Sequence, residues 1–225
     1  MNIIKLNAID STNTFLKQLA ADKLVENFTI VVAEQQNNGK GPRGSNWVVE
    51  SGKNLTFSVL YRNNPTYIKS LFTLNCIVAL SVTTALQSIS KLKFQIKWPN
   101  DILAENKKIG GILIENTIKN QEEVQSIIGV GINVNQMVFE NLPQAGSLAL
   151  IENKFFDKDA LLEKIANQLK FNLERLQKVG EDFFWNQYHE LLFKKDIVST
   201  FEDTNENRFV GKITGVSKEG RLQVL

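Results

Sequence analysis

The glycine-rich segment at residues 34–47 limits which folds this chain can adopt. It reads EQQNNGKGPRGSNW, and its centre fits the pattern G-x-G-x-x-G. A strand-like run, TIVVAE, precedes it, and a turn followed by a second strand-like run, KNLTFSVLY, comes after it. In a dinucleotide-binding fold the glycines open a helix whose N-terminus meets the pyrophosphate. Because no helix opens here, the sequence excludes that fold and predicts a loop between two strands.

Other phosphate-binding loops fit this segment no better. A kinase glycine loop does lie between strands, but it has valine two residues after its last glycine, where this chain has Asn46. Neither H-R-D nor D-F-G occurs, and the Walker A pattern is absent. What remains is a backbone that can approach an anion closely, beside Lys40, Arg43 and the amide side chain of Gln36. The alternative is a solvated turn.

Composition excludes several classes of protein. With 225 residues and 43% hydrophobic content, the chain is long enough for one ordinary domain and a small appendix. Its 26 basic and 24 acidic side chains give a net charge of +2, which argues against nucleic-acid binding by bulk charge but leaves a local basic patch open. A single cysteine, Cys76, and a single histidine, His189, exclude an internal disulfide and a Cys/His metal cluster. We expect both to be structural, in a protein of the reducing cytoplasm with no resident metal.

The chain shows no sign of a targeting or membrane segment. The N-terminal run MNIIKLNAIDSTN lacks the basic start and long apolar core of a signal peptide. Leu71–Ser90 carries no charge, but it contains polar residues such as Thr73, Asn75 and Gln87. This composition predicts an interior helix rather than a membrane span.

Hydrophobic periodicity predicts both strands and helices along the chain. Strands are expected at residues 2–8, 28–34, 53–61, 93–98, 107–115 and 127–135. Helices are expected at 10–22, 66–90, 157–180 and about 181–193. In the third helix one apolar stripe is formed by Leu162, Ile165, Leu169, Leu173 and Leu176. Asp157 suits the start of that helix and Gly180 its end.

From Asp196 onward the pattern changes to short strands and turns. The runs DIVSTFE, RFVGKITGVS and RLQVL predict a small β domain over 191–225, after a larger domain over 1–190. The last run stops in mid-strand, so we expect the small domain to be incomplete. An intact mass that matches 225 residues would contradict that expectation.

Three later motifs carry polar side chains or glycines where strands are predicted. KWPND at 97–101 places charged and amide side chains at a strand end, although a plain turn explains it equally well. In KKIGGILIE, alternation predicts one face shared by Lys108, Gly110, Ile112 and Ile114, and the glycine pair suggests a close approach by a ligand or another backbone. A hairpin turn at 105–107 explains Lys107 but not the glycines.

GVGIN at 129–133 also places glycines inside a predicted strand. Gly129, Gly131 and Asn133 share one predicted face and form a shallow polar floor, whereas Val130 and Ile132 share the other. A β-bulge is the structural alternative.

Taken in order, five motifs resemble the biotin protein ligases over nearly the whole chain. They are STN at 11–13, EQQNNGKGPRGSNW at 34–47, KWPND at 97–101, KIGGILIE at 108–115 and GVGIN at 129–133. The resemblance implies an α+β fold, with a mixed β-sheet flanked by helices as in class II synthetases and a small C-terminal SH3-like β domain. Many family members begin with a DNA-binding domain. This chain begins at the catalytic portion, so it resembles the monofunctional type, with no DNA or membrane partner. A homodimer through a sheet edge, known in the family, is also possible.

The resemblance implies that biotin and ATP, with Mg²⁺, form biotinyl-5′-AMP, and that biotin is then attached to a lysine of a biotin carboxyl carrier domain. Lys108 is the main catalytic candidate, Asp101 would orient or deprotonate the incoming amine, and Arg43 would lie in a flexible loop over the adenylate. Ser11, Thr12 and Gln36 would bind the ureido ring. Gly39, Lys40 and Gly129 would line the biotin pocket. Trp47 would lie beside the adenylate, and Asn133 would lie near the nucleotide. Lys97 is a second candidate for contacting the phosphates. The remaining predicted contacts are Asn13, Gly41, Gly110, Gly111 and Gly131.

Two departures from the family pattern concern the loop. Family members commonly have arginine where Lys40 stands, and a basic or amide side chain where Pro42 stands. Proline removes one N–H and stiffens the loop, which would weaken retention of the adenylate. The positive charge of the adjacent Arg43 would act against this weakening. The rival functions are a lipoate or octanoate ligase of the same broad fold, a biotin-sensing transcription regulator, and an ATP-binding module without catalysis.

Overall fold

The computed structural model describes residues 1–22, 24–48, 50–63, 70–119, 123–203 and 205–225. Seven strands form the main sheet: β1 (Ile3–Ile9), β2 (Ile30–Gln36), β3 (Leu55–Asn63), β4 (Phe94–Lys97), β5 (Asp101–Ala104), β6 (Lys107–Lys119) and β7 (Glu123–Ile132). Their order is β1-β2-β3-β7-β6-β5-β4, and only the β1–β2 pair in this sheet is parallel. The predicted mixed sheet is therefore confirmed.

Five α-helices accompany the sheet in the described residues. They are α1 (Thr12–Asp22), α2 (Leu71–Gln87), α3 (Leu148–Glu152), α4 (Lys158–Val179) and α5 (Glu181–Glu190). The four long predicted helices are confirmed, although residues 66–69 of the predicted second helix lie outside the described residues. That helix begins after Ser70, whose side chain accepts a hydrogen bond from the Phe72 N–H.

Sequence patterns did not reveal β5 or α3. Each is only four or five residues long, which is too short to show a hydrophobic period. The hairpin turn that was the structural alternative for KKIGGILIE is present at Glu105 and Asn106, which both have positive φ, and Lys107 already belongs to β6. Strand β7 ends at Ile132, three residues before the predicted end.

Alternating side chains divide the core between the two faces of the sheet. One face packs against α2, α4 and α5 and is built from residues such as Phe57, Val130 and Ile102. Helix α2 is buried nearly all round, while α4 buries the predicted leucine and isoleucine stripe. The other face meets α1 at one end, where Leu16 packs against Leu60. Because α1 covers only that end, the rest of this face is free to form a site.

A second, three-stranded antiparallel sheet follows α5. Its strands are β8 (Val198–Glu202), β9 (Arg208–Val216) and β10 (Leu222–Val224). This is consistent with the predicted SH3-like unit. Ile213 and Val216 of β9 belong to the main core, and the Trp98 indole N–H donates to the Gly220 carbonyl at 2.9 Å. The small sheet is thus attached close to the KWPND motif. The predicted domain boundary at residue 191 stays a prediction.

Candidate functional site

A polar cleft occupies the part of the sheet that α1 leaves open. Its floor comes from three neighbouring strands, with Thr56 of β3, Gly129 and Gly131 of β7, and Gly111 and Leu113 of β6. The register pairs Thr56 with Gly131 and Gly131 with Gly111, so these residues form one row across the sheet. The glycines lower the floor by removing side chains, and the predicted shared face of Gly129 and Gly131 is confirmed.

The STN motif forms the N-terminal end of α1 and one wall of the cleft. Ser11 precedes the helix, and its hydroxyl accepts a 3.4 Å hydrogen bond from the Thr14 N–H. The Gln36 Oε1 atom accepts from both the backbone N–H and the hydroxyl of Thr12, at 2.8 and 3.0 Å. This leaves the Gln36 amide NH₂ as the group that can donate to a ligand.

A buried hydroxyl from the floor connects these wall residues. The Ser58 Oγ atom lies 2.7 Å from Thr12 Oγ1 and 2.6 Å from Asn13 Oδ1. The Asn13 amide in turn donates to the Glu115 carboxylate at 2.9 Å. Fixed in this way, the wall presents oriented polar groups without having to order them when a ligand binds.

The glycine-rich segment is a closed hairpin rather than an open loop. The Gly41 N–H donates to the Ser45 carbonyl at 2.7 Å, and the Trp47 N–H donates to the Gly39 carbonyl at 2.9 Å. Arg43 at its tip has a φ of 55°, and its side chain is exposed to solvent. The hairpin therefore presents Lys40 and Gly41 to the cleft, and Arg43 does not line it.

Trp47 lies across the glycine floor. A Cβ atom at Gly131 would stand 2.5–2.7 Å from the indole, which explains why the position has no side chain. With the indole there, the cleft has a cavity volume of about 70 Å³. Ligand pockets usually measure about 300 Å³ or more, so the Trp47 side chain must move before a ligand of that size can enter. Its Nε1–H is buried without a hydrogen-bond partner, which leaves a donor for that ligand.

Lys108 and Asp101 form an ion pair at the end of the cleft. Their Nζ and Oδ1 atoms are 2.6 Å apart, and the Lys108 side chain is 40% exposed. Sequence alternation placed Lys108 on one face with Gly110, and this prediction is wrong. The register shifts from Leu103–Lys108 to Ile102–Gly110, so Ile109 is an extra residue in β6. This bulge turns Lys108 toward the cleft and Gly110 toward the core, where a Cβ would meet Ile132.

Most of the predicted site residues come together in this cleft. Those that line it are Ser11, Thr12, Asn13, Gln36, Lys40, Gly41, Trp47, Lys108, Gly111, Gly129 and Gly131. Gly39 does not line the cleft but packs closely against two residues that do, because a Cβ there would meet the Gln36 side chain and the Trp47 carbonyl. Lys97 and Asp101 lie instead on the neighbouring strands β4 and β5 and line an adjacent groove together with Lys108.

Asn133 is buried just beyond the end of β7. Its side-chain amide donates to the Gly146 carbonyl at 3.0 Å, and its Oδ1 atom has no hydrogen-bond partner. An unpaired buried acceptor costs about 1–3 kcal/mol, which a donor from a ligand would offset. Asn133 does not line the cleft as it stands.

Sequence reasoning missed several polar side chains of the cleft. Thr56, Ser45 and Asn46 also line it, and Ser58 lies beneath it. Asn100, which the KWPND motif placed at a strand end without a role, lines it as well. Thr56 and Ser58 alternate with apolar residues in β3, which was a signal of a polar strand face. The role of Asn100 depends on tertiary contacts, since its amide and carbonyl both bond to Ile112 of β6.

The residues predicted to be structural lie away from the cleft. Cys76 is fully buried in α2, and burial raises the pKa of its thiol far above the usual value. Burial lowers the pKa of His189, whose Nε2 atom accepts a 2.9 Å hydrogen bond from the Val216 N–H. Among the described residues, no cluster of three His, Cys, Asp or Glu side chains could hold a metal ion.

Comparison with known proteins agrees with this geometry. Residues 6–133, more than half of the chain, match the model of the biotin/lipoate A/B protein ligase family. The chain belongs to this family. Over its full length it is also similar to the biotin protein ligase of Aquifex aeolicus in complex with biotin and ATP, with a TM-score of 0.82, 29% identity and 95% of that chain covered. The matched family region contains all five sequence motifs.

Two curated relatives from this family are larger than the matched region. The bifunctional ligase/repressor BirA of Salmonella typhimurium is 29% identical over 84% of this chain, which spans 59% of that protein. Its Escherichia coli counterpart is 28% identical over 98% of this chain, which spans 68% of that protein. Among the helices of the described residues, none combines the length and apolar content that crossing a bilayer requires.

Proposed function

We propose that this chain is a biotin–protein ligase, which uses ATP to attach biotin to a lysine of a biotin carboxyl carrier domain. The observation that carries the proposal is the Lys108–Asp101 ion pair at the end of a glycine-floored polar cleft. The Aquifex aeolicus ligase, crystallised with biotin and ATP, is similar over the full chain and supports the choice of substrates.

In the first step, an oxygen of the biotin carboxylate attacks the α-phosphorus of ATP. The bond between that phosphorus and the bridging β-phosphate oxygen breaks, giving biotinyl-5′-AMP and pyrophosphate. Two anions must approach each other, so fixed positive charge is needed where they meet. Lys108 supplies it at the end of the cleft and Lys40 at its rim, while Ser11, Thr12 and Gln36 hold the ureido ring.

In the second step, the acceptor lysine amine attacks the acyl carbon of the mixed anhydride. The acyl C–O bond breaks, AMP leaves, and the nitrogen loses a proton. Asp101 is the carboxylate beside the reacting centre that can accept it, because its Oδ1 atom is 2.6 Å from Lys108 Nζ. Trp47 and Asn133 contact the nucleotide in this proposal, each through a buried polar atom that now lacks a partner. Lys97 and Arg43 assist with the phosphates.

Mg²⁺ enters this proposal as part of the nucleotide. Magnesium is commonly held by one or two carboxylates together with substrate phosphates. Such an ion would neutralise part of the triphosphate charge as the carboxylate approaches, with most of its oxygen ligands supplied by the triphosphate. A cytoplasmic location also belongs to the proposal, because the single cysteine offers no internal disulfide.

The direct test is incubation with biotin, Mg-ATP and a carboxylase carrier domain, followed by mass spectrometry of the acceptor. We expect a covalent mass increase of one biotinyl group. Lys108→Ala should abolish it nearly completely, whereas Lys107→Ala is the matched control, because Lys107 is exposed and bonds to the Pro143 carbonyl. Full acceptor biotinylation by Lys108→Ala would contradict the catalytic role of Lys108, whereas an unmodified acceptor with the wild-type chain would favour an ATP-binding module without catalysis.

Two rivals are separated by other measurements. A lipoate ligase, which the family description also covers, or an octanoate ligase would show pyrophosphate exchange that depends on lipoate or octanoate rather than on biotin. A transcription regulator, such as the bifunctional relatives, would shift operator DNA in a gel. We expect biotin-dependent exchange and no gel shift.

A further inference from the structure

Glu115 of β6 does not line the cleft, but it bonds to a residue of the cleft wall. Its Oε2 atom accepts a 2.9 Å hydrogen bond from the Asn13 side-chain amide. Its Oε1 atom lies 3.4 Å from the ammonium group of Lys17, whose side chain is half exposed. The two oxygens of one carboxylate therefore have different partners, one in the buried wall and one at the surface.

The surroundings of Asn13 fix the direction in which its side-chain amide points. The Nδ2 group faces two acceptors, Glu115 Oε2 at 2.9 Å and the Leu113 carbonyl at 3.4 Å. A flipped amide would turn its Oδ1 atom toward both of them, and neither group can donate a hydrogen to it. Gly129 leaves room for the amide, because a Cβ there would stand 2.4 Å from Asn13 Oδ1. The Oδ1 atom therefore points to Ser58.

This orientation determines where the hydroxyl hydrogens of the wall lie. An amide oxygen can only accept, so the 2.6 Å contact with Asn13 Oδ1 uses the single hydroxyl hydrogen of Ser58. The 2.7 Å contact between Ser58 Oγ and Thr12 Oγ1 must then use the Thr12 hydrogen. Gln36 Oε1 also lies 3.0 Å from Thr12 Oγ1, so that hydrogen is shared between two protein acceptors. Both lone pairs of Thr12 Oγ1 remain for a donor in the cleft.

The opposite orientation of the Asn13 amide would present a different wall. Ser58 would accept from the amide and would donate to Thr12 Oγ1, which would occupy one of its two lone pairs. The ureido ring of biotin carries two N–H donors and one carbonyl acceptor. A wall in which Thr12 accepts and the Gln36 NH₂ group donates is complementary to that ring.

We propose that Glu115 is a positioning residue for the recognition of biotin. Its carboxylate orients the Asn13 amide, and through Ser58 this keeps Thr12 available as an acceptor for a ureido N–H. Thr12, Asn13 and Ser58 are all at least 96% buried, so water does not compete for the bonds that carry this orientation. The inference rests on the proposed ligase function and names a residue outside the cleft that sets its specificity.

The test is a double-mutant cycle with Glu115→Ala and Thr12→Val, read by calorimetric titration with biotin. We expect Glu115→Ala to raise the Kd for biotin about tenfold, because Asn13 loses its strongest orienting partner. Thr12→Val removes the acceptor itself and keeps the shape of the wall. In that background, adding Glu115→Ala should raise the Kd by less than about twofold, because the two residues act in one chain of bonds. Thermal unfolding checks that each variant is folded.

Lys17→Ala is the matched control, because it removes the other bond of the same carboxylate and leaves the bond to Asn13 in place. A largely exposed ion pair contributes little, so this variant should bind biotin like the wild type. A loss of affinity in Lys17→Ala as large as that in Glu115→Ala would overturn the inference, and would make the ion pair a tether for α1.

Two further results would also overturn it. Unchanged affinity in Glu115→Ala would show that Asn13 keeps its orientation without the carboxylate. Full additivity of Glu115→Ala and Thr12→Val would show that Glu115 acts on the ligand by a route that does not include Thr12. If the wild-type chain binds no biotin, the ligase function fails, which is a separate result.

Discussion

At the residue scale, Gly131 and Gly111 are neighbours on the cleft floor, but a side chain at each would meet different surroundings. A Cβ at Gly131 would stand 2.5 Å from the Trp47 indole, whereas a Cβ at Gly111 would stand 3.7 Å from it, an ordinary contact. We expect Gly131→Ala to displace Trp47 and to destabilise the fold by about 1–3 kcal/mol. Gly111→Ala is the matched control and should cost less. Thermal unfolding and tryptophan fluorescence measure both effects, and equal behaviour of the two variants would contradict the placement of Trp47.

Ser58 is another single residue on which the cleft depends. Its buried hydroxyl lies within hydrogen-bond distance of Thr12 and Asn13. Ser58→Ala should reduce the free energy of unfolding by about 1–3 kcal/mol and weaken biotin binding, because both wall residues lose a fixed partner. Ser126→Ala removes a comparable hydroxyl from β7, which bonds to Asn116 outside the cleft. Calorimetric titration with biotin should find weakened binding only for Ser58→Ala, and unchanged binding would refute the role of Ser58.

At the scale of elements, a buried polar pair joins α2 to α4. The Asn172 amide of α4 donates to the Ser81 hydroxyl of α2 at 2.9 Å, and both side chains are buried. Ser81→Ala leaves this amide without its acceptor, so we expect a loss of about 1–3 kcal/mol in urea unfolding. Adding Asn172→Leu removes the unpaired amide and should recover much of that loss. A double variant less stable than Ser81→Ala would show that the apolar pair does not fit.

At the scale of the whole molecule, His189 links α5 of the main unit to β9 of the small sheet. Its Nε2 atom accepts from the Val216 N–H, which requires the neutral imidazole, and burial lowers its pKa from the usual value of about 6.5. The nearby positive charge of Lys195 acts in the same direction. Protonation therefore favours the unfolded chain, which binds more protons in the window below about pH 6.5.

We accordingly expect the free energy of unfolding to be greatest above about pH 6.5 and to fall as the pH drops from 7 toward 5. In His189→Gln the amide oxygen can still accept from Val216 but does not titrate, so the pH dependence should flatten in this window. His189 is the only histidine in the chain, which makes the comparison clean. A wild-type stability that is flat over the same range would contradict this linkage.

The sequence by itself determined the order of elements and much of the cleft. Alternation identified the glycine face of β7, and the spacing of leucines identified α4, because these patterns follow directly from backbone periods of 2 and 3.6 residues. The motifs at 11–13 and 34–47 do meet, although local sequence cannot show that they share one wall with Ser58. That contact depends on how α1 packs on the sheet.

Only the tertiary structure decided where the charged side chains point. The extra residue Ile109 in β6 reverses the face that simple alternation gave to Lys108, and a bulge depends on its partner strand β5, which was too short to predict. The groove beside the cleft likewise brings Lys194 next to Lys93 and Lys97, which lie far from it in the sequence. Periodicity is a property of one strand. Register, and the meeting of side chains that are distant in sequence, depend on which strands pair and on what packs against them. No single segment of the sequence contains that information.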